Sequence, residues 1–186
     1  MNPDQPNSQL RSRLTLLLIA AMFLSSFFIA AFLRFSGWTP DRGKNYGELL
    51  QPPKDLSALT LVRADGGAYA WAPEKNLWRI VVVPDKDCTT ACVTLLDALH
   101  RVWQNQGRRA DRIDVLWFGD LPADGPRFRR LIPMQPNAAL SAALPEAARA
   151  DALPVYLIDP SGFLALHYRA GFEPTGLRKD LGKLVK

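Results

Sequence analysis

Apolar and polar positions alternate along most of this chain, but one segment has no polar face. From Leu14 to Leu33 the run LTLLLIAAMFLSSFFIAAFL carries no charge, and only Thr15, Ser25 and Ser26 have polar side chains. A helix of that length rises about 30 Å, the thickness of a bilayer's hydrocarbon core. Arg13 and Arg34 bracket it. A cleaved signal peptide is the competing reading. Its apolar region, however, is about 7 to 15 residues long and ends at a small-residue cleavage site, and no convincing A-x-A site follows here. The pattern predicts a cytoplasmic tail over 1–13 and an uncleaved transmembrane anchor over 14–34. Basic residues flank both sides, so charge does not set the orientation. A long downstream domain can be translocated largely regardless of its own charge. We therefore expect a single pass of the inner membrane with the remainder on the periplasmic side.

Downstream, residues 35–56 mix Pro, Gly and charge without an apolar period, which predicts a tether. SALTLVRADGGAYAW then predicts a β-hairpin over about Ala58 to Trp71, turning at Asp65, Gly66 and Gly67. Trp78 to Val83 is a β-branched run broken only by Arg79, as in a strand covered on both faces. Cys92, Leu95, Leu96, Leu99, Val102 and Trp103 follow the spacing of one helix face, ending near Gly107. A strand is expected at Ile113–Phe118, and a Pro-rich loop region after it. ALSAALPEAARA reads as a helical stretch limited by Pro145. Val155–Asp159, a turn at PSG, and Phe163–Tyr168 form a second hairpin, and Gly176–Val185 a closing helix. Strand, helix, strand, helix, hairpin, helix is an α/β order with parallel neighbours at the crossover and the last hairpin as an antiparallel edge. The folded domain is placed at 57–186.

Composition adds mainly exclusions. The 186 residues are 48% hydrophobic and 22% charged with a net charge of +5, ordinary globular values. Beyond the anchor the net charge is only +3, and the arginine clusters are short and interrupted, so nucleic acid is not an expected partner. No GxxxxGK[ST], GxSxG or HExxH motif occurs, which leaves nucleotide hydrolysis, serine esterase and zincin chemistry unsupported.

The two cysteines, Cys88 and Cys92, lie in VVVPDKDCTTAC between the apolar strand and the first helix. Four residues apart at a helix start, their Cα atoms fall about 6 Å apart, within disulfide range. A bridge there closes a very short loop and restrains little of the unfolded chain, so redox or metal chemistry is a better use for it than stapling. Two small core residues are the plain alternative. The helix N-terminus favours thiolate, while Asp85 and Asp87 oppose it and Lys86 partly compensates. Cys88, first at the junction, is expected to be the exposed attacking thiol and Cys92 the resolving one.

With the anchor, the CxxxC after a buried strand and VYLIDPSG in place, the chain resembles the thioredoxin superfamily. It is most similar to the Sco/SenC family of membrane-anchored cytochrome c oxidase assembly proteins. The resemblance implies a thioredoxin-like α/β domain with an N-terminal β-hairpin, preceded by one transmembrane helix. It implies dithiol–disulfide exchange with an oxidase copper-site subunit or another thiol protein, which would make the chain a thiol-disulfide oxidoreductase. The other readings are a copper chaperone using Cys88 and Cys92, and a non-catalytic assembly scaffold. Aligned on YLIDP, Asp151 stands where the family has its metal-binding histidine, and a hard carboxylate suits Cu(I) poorly. His167 is then the candidate third copper ligand, whereas His100 lies about two turns beyond Cys92 and reads as a surface residue. Pro154, in LPVYLID, resembles the cis proline that thioredoxin-like proteins place beside their cysteines.

Overall fold

The computed structural model describes residues 6–35, 45–85, 88, 90–147 and 153–186. The chain divides into two compact units, 1–44 and 45–186. In the first, α1 (Pro6–Phe35) is a single helix. Its stretch Arg11–Phe35 is long and apolar enough to cross a membrane. Every described side chain from Arg11 to Phe35 is exposed, and an apolar surface of that extent needs lipid or protein to cover it. Thr15, Ser25 and Ser26 turn their hydroxyls back onto carbonyls of Arg11, Met22 and Phe23, so no unpaired hydroxyl breaks the apolar surface between Leu14 and Leu33.

The second unit is built on a six-stranded sheet in the order β1–β8–β7–β4–β5–β6. The strands are β1 (Glu48–Asp55), β4 (Trp78–Val82), β5 (Ile113–Phe118), β6 (Leu131–Met134), β7 (Val155–Ile158) and β8 (Phe163–Tyr168). A separate hairpin pairs β2 (Leu61–Val62) with β3 (Ala68–Tyr69) around the expected Asp65–Gly67 turn, with Gly66 at φ +86°. Helix α2 (Thr90–Gln104) carries the chain from β4 to its parallel neighbour β5, through a 3-10 segment at Gly107–Arg112. Helix α3 is Ala138–Ala143, and α4 is Pro174–Leu184.

Strand alternation divides the core in two. Ile80, Val82, Val115, Trp117, Val155, Leu157, Leu166 and Tyr168 face α2 and α4, whereas Val81, Leu116, Phe118, Tyr156, Ile158 and Leu164 face α3 and the hairpin. Three details depart from the sequence reading. Glu48–Asp55, expected to be tether, is the edge strand β1, paired antiparallel with β8 around an irregularity between Leu49 and Lys54. Pro52 and Pro53 are tolerated there because an edge strand can spare N–H groups. The β7–β8 hairpin consequently lies inside the sheet instead of at its edge, with β7 antiparallel to β4. The Pro-rich connection after β5 contains β6, parallel to β5, again at an edge where Pro133 costs little.

Candidate functional site: a disulfide at the mouth of a cleft

Strand β4 ends at Val82 and the chain leaves the sheet through Val83, Pro84 and Asp85 before α2 starts at Thr90. The Cys88 N–H donates to the Asp85 carbonyl at 3.2 Å. Cys92 occupies the first turn of α2. The two form a disulfide with Cα atoms 5.7 Å apart, the reach anticipated from their spacing. Their surroundings differ. Cys92 is 1% exposed and packs with Leu96, Leu99 and the strand residues facing α2, while Cys88 is half-buried at the edge of that cluster.

Cys88 and Cys92 line an open cleft of about 850 Å³. It lies off the C-terminal ends of the parallel strands β4 and β5, where open α/β sheets habitually place their sites. Its far wall comes from the exit of β5. Gly119, at φ +120°, turns the chain so that a Cβ there would lie 3.8 Å from Pro84, and its N–H donates to the Met134 carbonyl of β6 at 3.0 Å. Trp117 Nε1 donates to the Asp120 carbonyl at 3.0 Å, fixing the next residue of the loop. Sequence reasoning singled out Asp85 and the cysteines but missed this second wall. The available signal was its position just past the end of the second parallel strand.

Pro154 is buried at the start of β7, where the next residue, Val155, pairs with Val82 of β4. Among the described residues the cis peptide bond is Gln51–Pro52 in β1. The Leu153–Pro154 bond is not cis, and the expectation of a cis proline at this position is corrected. Asp151 lies outside the described residues.

His167 belongs to β8 but alternates with Leu166 and Tyr168, so it points to the α3 side of the sheet, away from the face on which Cys92 packs. It is 4% exposed and stacks on Tyr156 with ring centroids 5.3 Å apart. Its Nδ1 is 3.8 Å from Glu48 and its Nε2 3.9 Å from Glu146. Burial pushes its pKa below the ordinary 6.5, the largest effect, while Glu146 and Glu48 pull it up and Arg169 adds to the lowering. It does not line the cysteine cleft. His100, expected at the surface, is half-buried on α2 and stacks on Phe128 at 4.8 Å. Among the described residues no group of three or more His, Cys, Asp and Glu side chains is placed to hold a metal. Reduced, the cysteines would offer two thiolates, soft donors of the kind Cu(I) takes. The cleft adds no histidine to them.

Residues 78–186, well over half of the chain, match the model of a family described as a transmembrane-like, thioredoxin-like, C-terminal domain. The chain belongs to this transmembrane-like, thioredoxin-like family. Among solved structures, it is similar to three Sco proteins. The first is BsSco, a member of the Sco family of cytochrome c oxidase assembly proteins in which a disulfide switch has been identified. It shares 12% identity over 75% of this chain and 96% of that one, with a TM-score of 0.55. The second is the apo Sco1 protein from Thermus thermophilus, at 17% identity, 78% and 99% coverage, and a TM-score of 0.53. The third is a SCO1/SenC family lipoprotein from Bacillus anthracis, at 13% identity, 74% and 99% coverage, and a TM-score of 0.52. At these identities the likeness is one of fold, and the fold is thioredoxin-like, as the sequence resemblance implied. No functionally curated protein matches the sequence.

Proposed function

We propose that this transmembrane-like, thioredoxin-like protein is held in the membrane by α1, with its folded domain on the periplasmic side. There it exchanges dithiol and disulfide with a copper-site partner during cytochrome c oxidase assembly. The observation that carries the reading is the Cys88–Cys92 disulfide at the mouth of a cleft, one sulfur half-buried and the other in the core. A buried sulfur cannot be approached from water, so attack falls on Cys88. A partner thiolate bonds to Cys88 Sγ, and the disulfide's electron pair leaves on Cys92 Sγ as thiolate. The partner's second thiolate then attacks its own sulfur in the mixed disulfide and expels the Cys88 thiolate. The partner dithiol is oxidised by two electrons and this protein reduced by two. In reverse, Cys88 attacks a partner disulfide and Cys92 resolves the adduct. The Sco proteins of similar fold support the placement in oxidase assembly, and the uncharged apolar stretch Leu14–Leu33 of α1 supports the anchor.

Equilibration of the full-length protein with glutathione buffers, read by mass after alkylation, tests the exchange. Two thiol states with a defined midpoint are expected, and Cys92→Ser should accumulate a mixed disulfide on Cys88 that Cys88→Ser does not form on Cys92. A protein whose thiol state never changes would remove the proposal and favour a scaffold role. The second reading, a copper chaperone, rests on the two thiolates of the reduced pair. Cu(I) titration of the reduced protein should then reach one equivalent and be lost in either serine variant; His167→Ala would leave it intact, because that side chain faces the other side of the sheet.

A further inference from the structure

His167 takes no part in the exchange chemistry, yet its place in the sheet ties it to the cleft. On the face toward α3, Val81 of β4, Tyr156 of β7 and His167 of β8 lie side by side in register. The next row is Val82, Val155 and Tyr168, and there β4 ends and the chain leaves for the cysteine loop. The turn after α3 reaches the row that holds His167. Tyr156 donates its hydroxyl to the Pro145 carbonyl and stacks on the His167 ring. Glu146 follows at φ +60°, a left-handed backbone that costs a residue with a Cβ free energy and that recurs at switch regions. Its carboxylate ends 3.9 Å from His167 Nε2. Ala147, the next residue, lines the cleft that holds Cys88 and Cys92. His167 itself is 4% exposed, and its Nε2 has no hydrogen-bond partner among the described residues.

A buried ring nitrogen without a partner leaves a bond unmade, and protonation would make both ring nitrogens donors. Three charged groups face the ring: Glu48 on β1, 3.8 Å from Nδ1, Glu146 on the turn, and Arg169 just past β8. From β7 the ring meets Tyr156, which burial keeps neutral. Glu48 is already held by Arg169 at 2.8 Å, whereas Glu146 has no nearer charged partner among the described residues. A charge-assisted N–H to carboxylate bond closes to about 2.8 Å, so pairing would draw Glu146 about 1 Å toward β8. Resting on the exchange reading, we propose that His167 is a proton-operated latch on the cleft wall. Protonated, it fixes the Glu146–Ala147 turn to the sheet and restricts the entry of a partner protein segment to Cys88; neutral, it leaves that turn free to yield to the segment. Burial holds the ring's pKa below its ordinary 6.5, so the latch engages in acid.

Two thiols test this on the oxidised full-length protein in an uncharged detergent: an extended, uncharged peptide bearing one cysteine, and mercaptoethanol. Each rate is divided by that of His167→Gln with the same thiol at the same pH, which cancels the thiol's own ionisation. For the peptide the ratio should be near one at about pH 7.5 and fall about fivefold by about pH 5, the size of an ordinary coupling between two sites. For mercaptoethanol it should stay near one, since so small a thiol needs no movement of the wall. Glu146→Gln keeps the histidine and removes the charge it pairs with, so its rates should follow those of His167→Gln at every pH. Glu146 is partly exposed, and this variant carries the comparison if His167→Gln does not fold. A peptide ratio that stays level or rises toward acid, or a fall shared equally by mercaptoethanol, would overturn the latch and leave the exchange reading intact. Failure of both thiols to react with the parent protein at about pH 7.5 would instead remove the exchange reading, and the latch with it.

Discussion

His167 is enclosed by groups that could pair with it but do not touch it. Glu48 on β1 and Glu146 after α3 stand 3.8 and 3.9 Å from its two ring nitrogens, Tyr156 covers one face, and Nε2 has no hydrogen-bond partner among the described residues. Burial dominates the two carboxylates and holds its pKa below 6.5. A group whose folded-state pKa is depressed binds its proton more weakly than in the unfolded chain, so protonation favours unfolding. Stability from this group is complete above about pH 6.5 and is lost as pH falls from there through the folded-state value. Thermal melts between pH 7.5 and 5.5 should fall toward acid, and His167→Gln should flatten that slope; a variant with an unchanged slope would refute the assignment. In the sequence His167 stood out for its donor chemistry alone. Its side of the sheet was also legible there, since Leu166 and Tyr168 are larger apolar neighbours that claim the α2 face and leave His167 the other.

At the scale of elements, α2 joins the chemistry to the core, because Cys92 in its first turn is at once the resolving sulfur and the first buried contact of its apolar stripe. With the disulfide reduced, Cys92→Ser buries a hydroxyl among Leu96, Leu99 and Trp117, which should cost about 1 to 3 kcal/mol. Cys88→Ser, half in solvent, should cost under about 0.5 kcal/mol, as surface substitutions do. Denaturant melts of both variants under reducing conditions check the difference, and equal losses would mean that the two sulfurs share one environment. The strands show what was readable at this scale. β5 runs from Ile113 to Phe118, the residues its apolar run predicted, because an apolar segment interrupted only by Asp114 has no competing use in water. β1 and β6 were not readable, because Pro52, Pro53 and Pro133 argue against a strand locally. Only their place at the edges makes those prolines acceptable. Pro145 acted as expected, and α3 ends at Ala143 before it.

Across the whole domain, the two ends of the parallel pair are finished differently. The C-terminal ends of β4 and β5 open into the cysteine cleft, and near the N-terminal ends a polar network is built around the buried Arg79. Arg79, fully buried, donates Nε to the Tyr69 hydroxyl at 3.0 Å, Nη1 to the carbonyls of Leu77 and Asp159 at 2.9 and 3.1 Å, and Nη2 to the Trp71 carbonyl. Tyr69 in turn donates to Asp114 at 2.7 Å, and Arg130 pairs with the same carboxylate at 3.0 Å. The network ties the β2–β3 hairpin and the turn after β7 to the central strands. Nothing local in WRIVVV announces it, since a lone arginine in an apolar strand reads as an interruption until its partners, two to eighty residues away, are in place. Arg79→Met keeps the stem but leaves these carbonyls and the tyrosine without their donor, and breaking such a buried charged network costs about 3 to 5 kcal/mol. For a domain of this size that lowers the melting temperature by about 10 °C. Because the network lies at the far end of β4 from Cys88, the disulfide's midpoint against glutathione should stay where it is in the parent protein. A loss of stability with no shift in midpoint would show that the arginine end sets how well the domain holds together while the cysteine end sets its chemistry. A midpoint that moves with Arg79 would show instead that β4 transmits strain along its length to the cysteine loop.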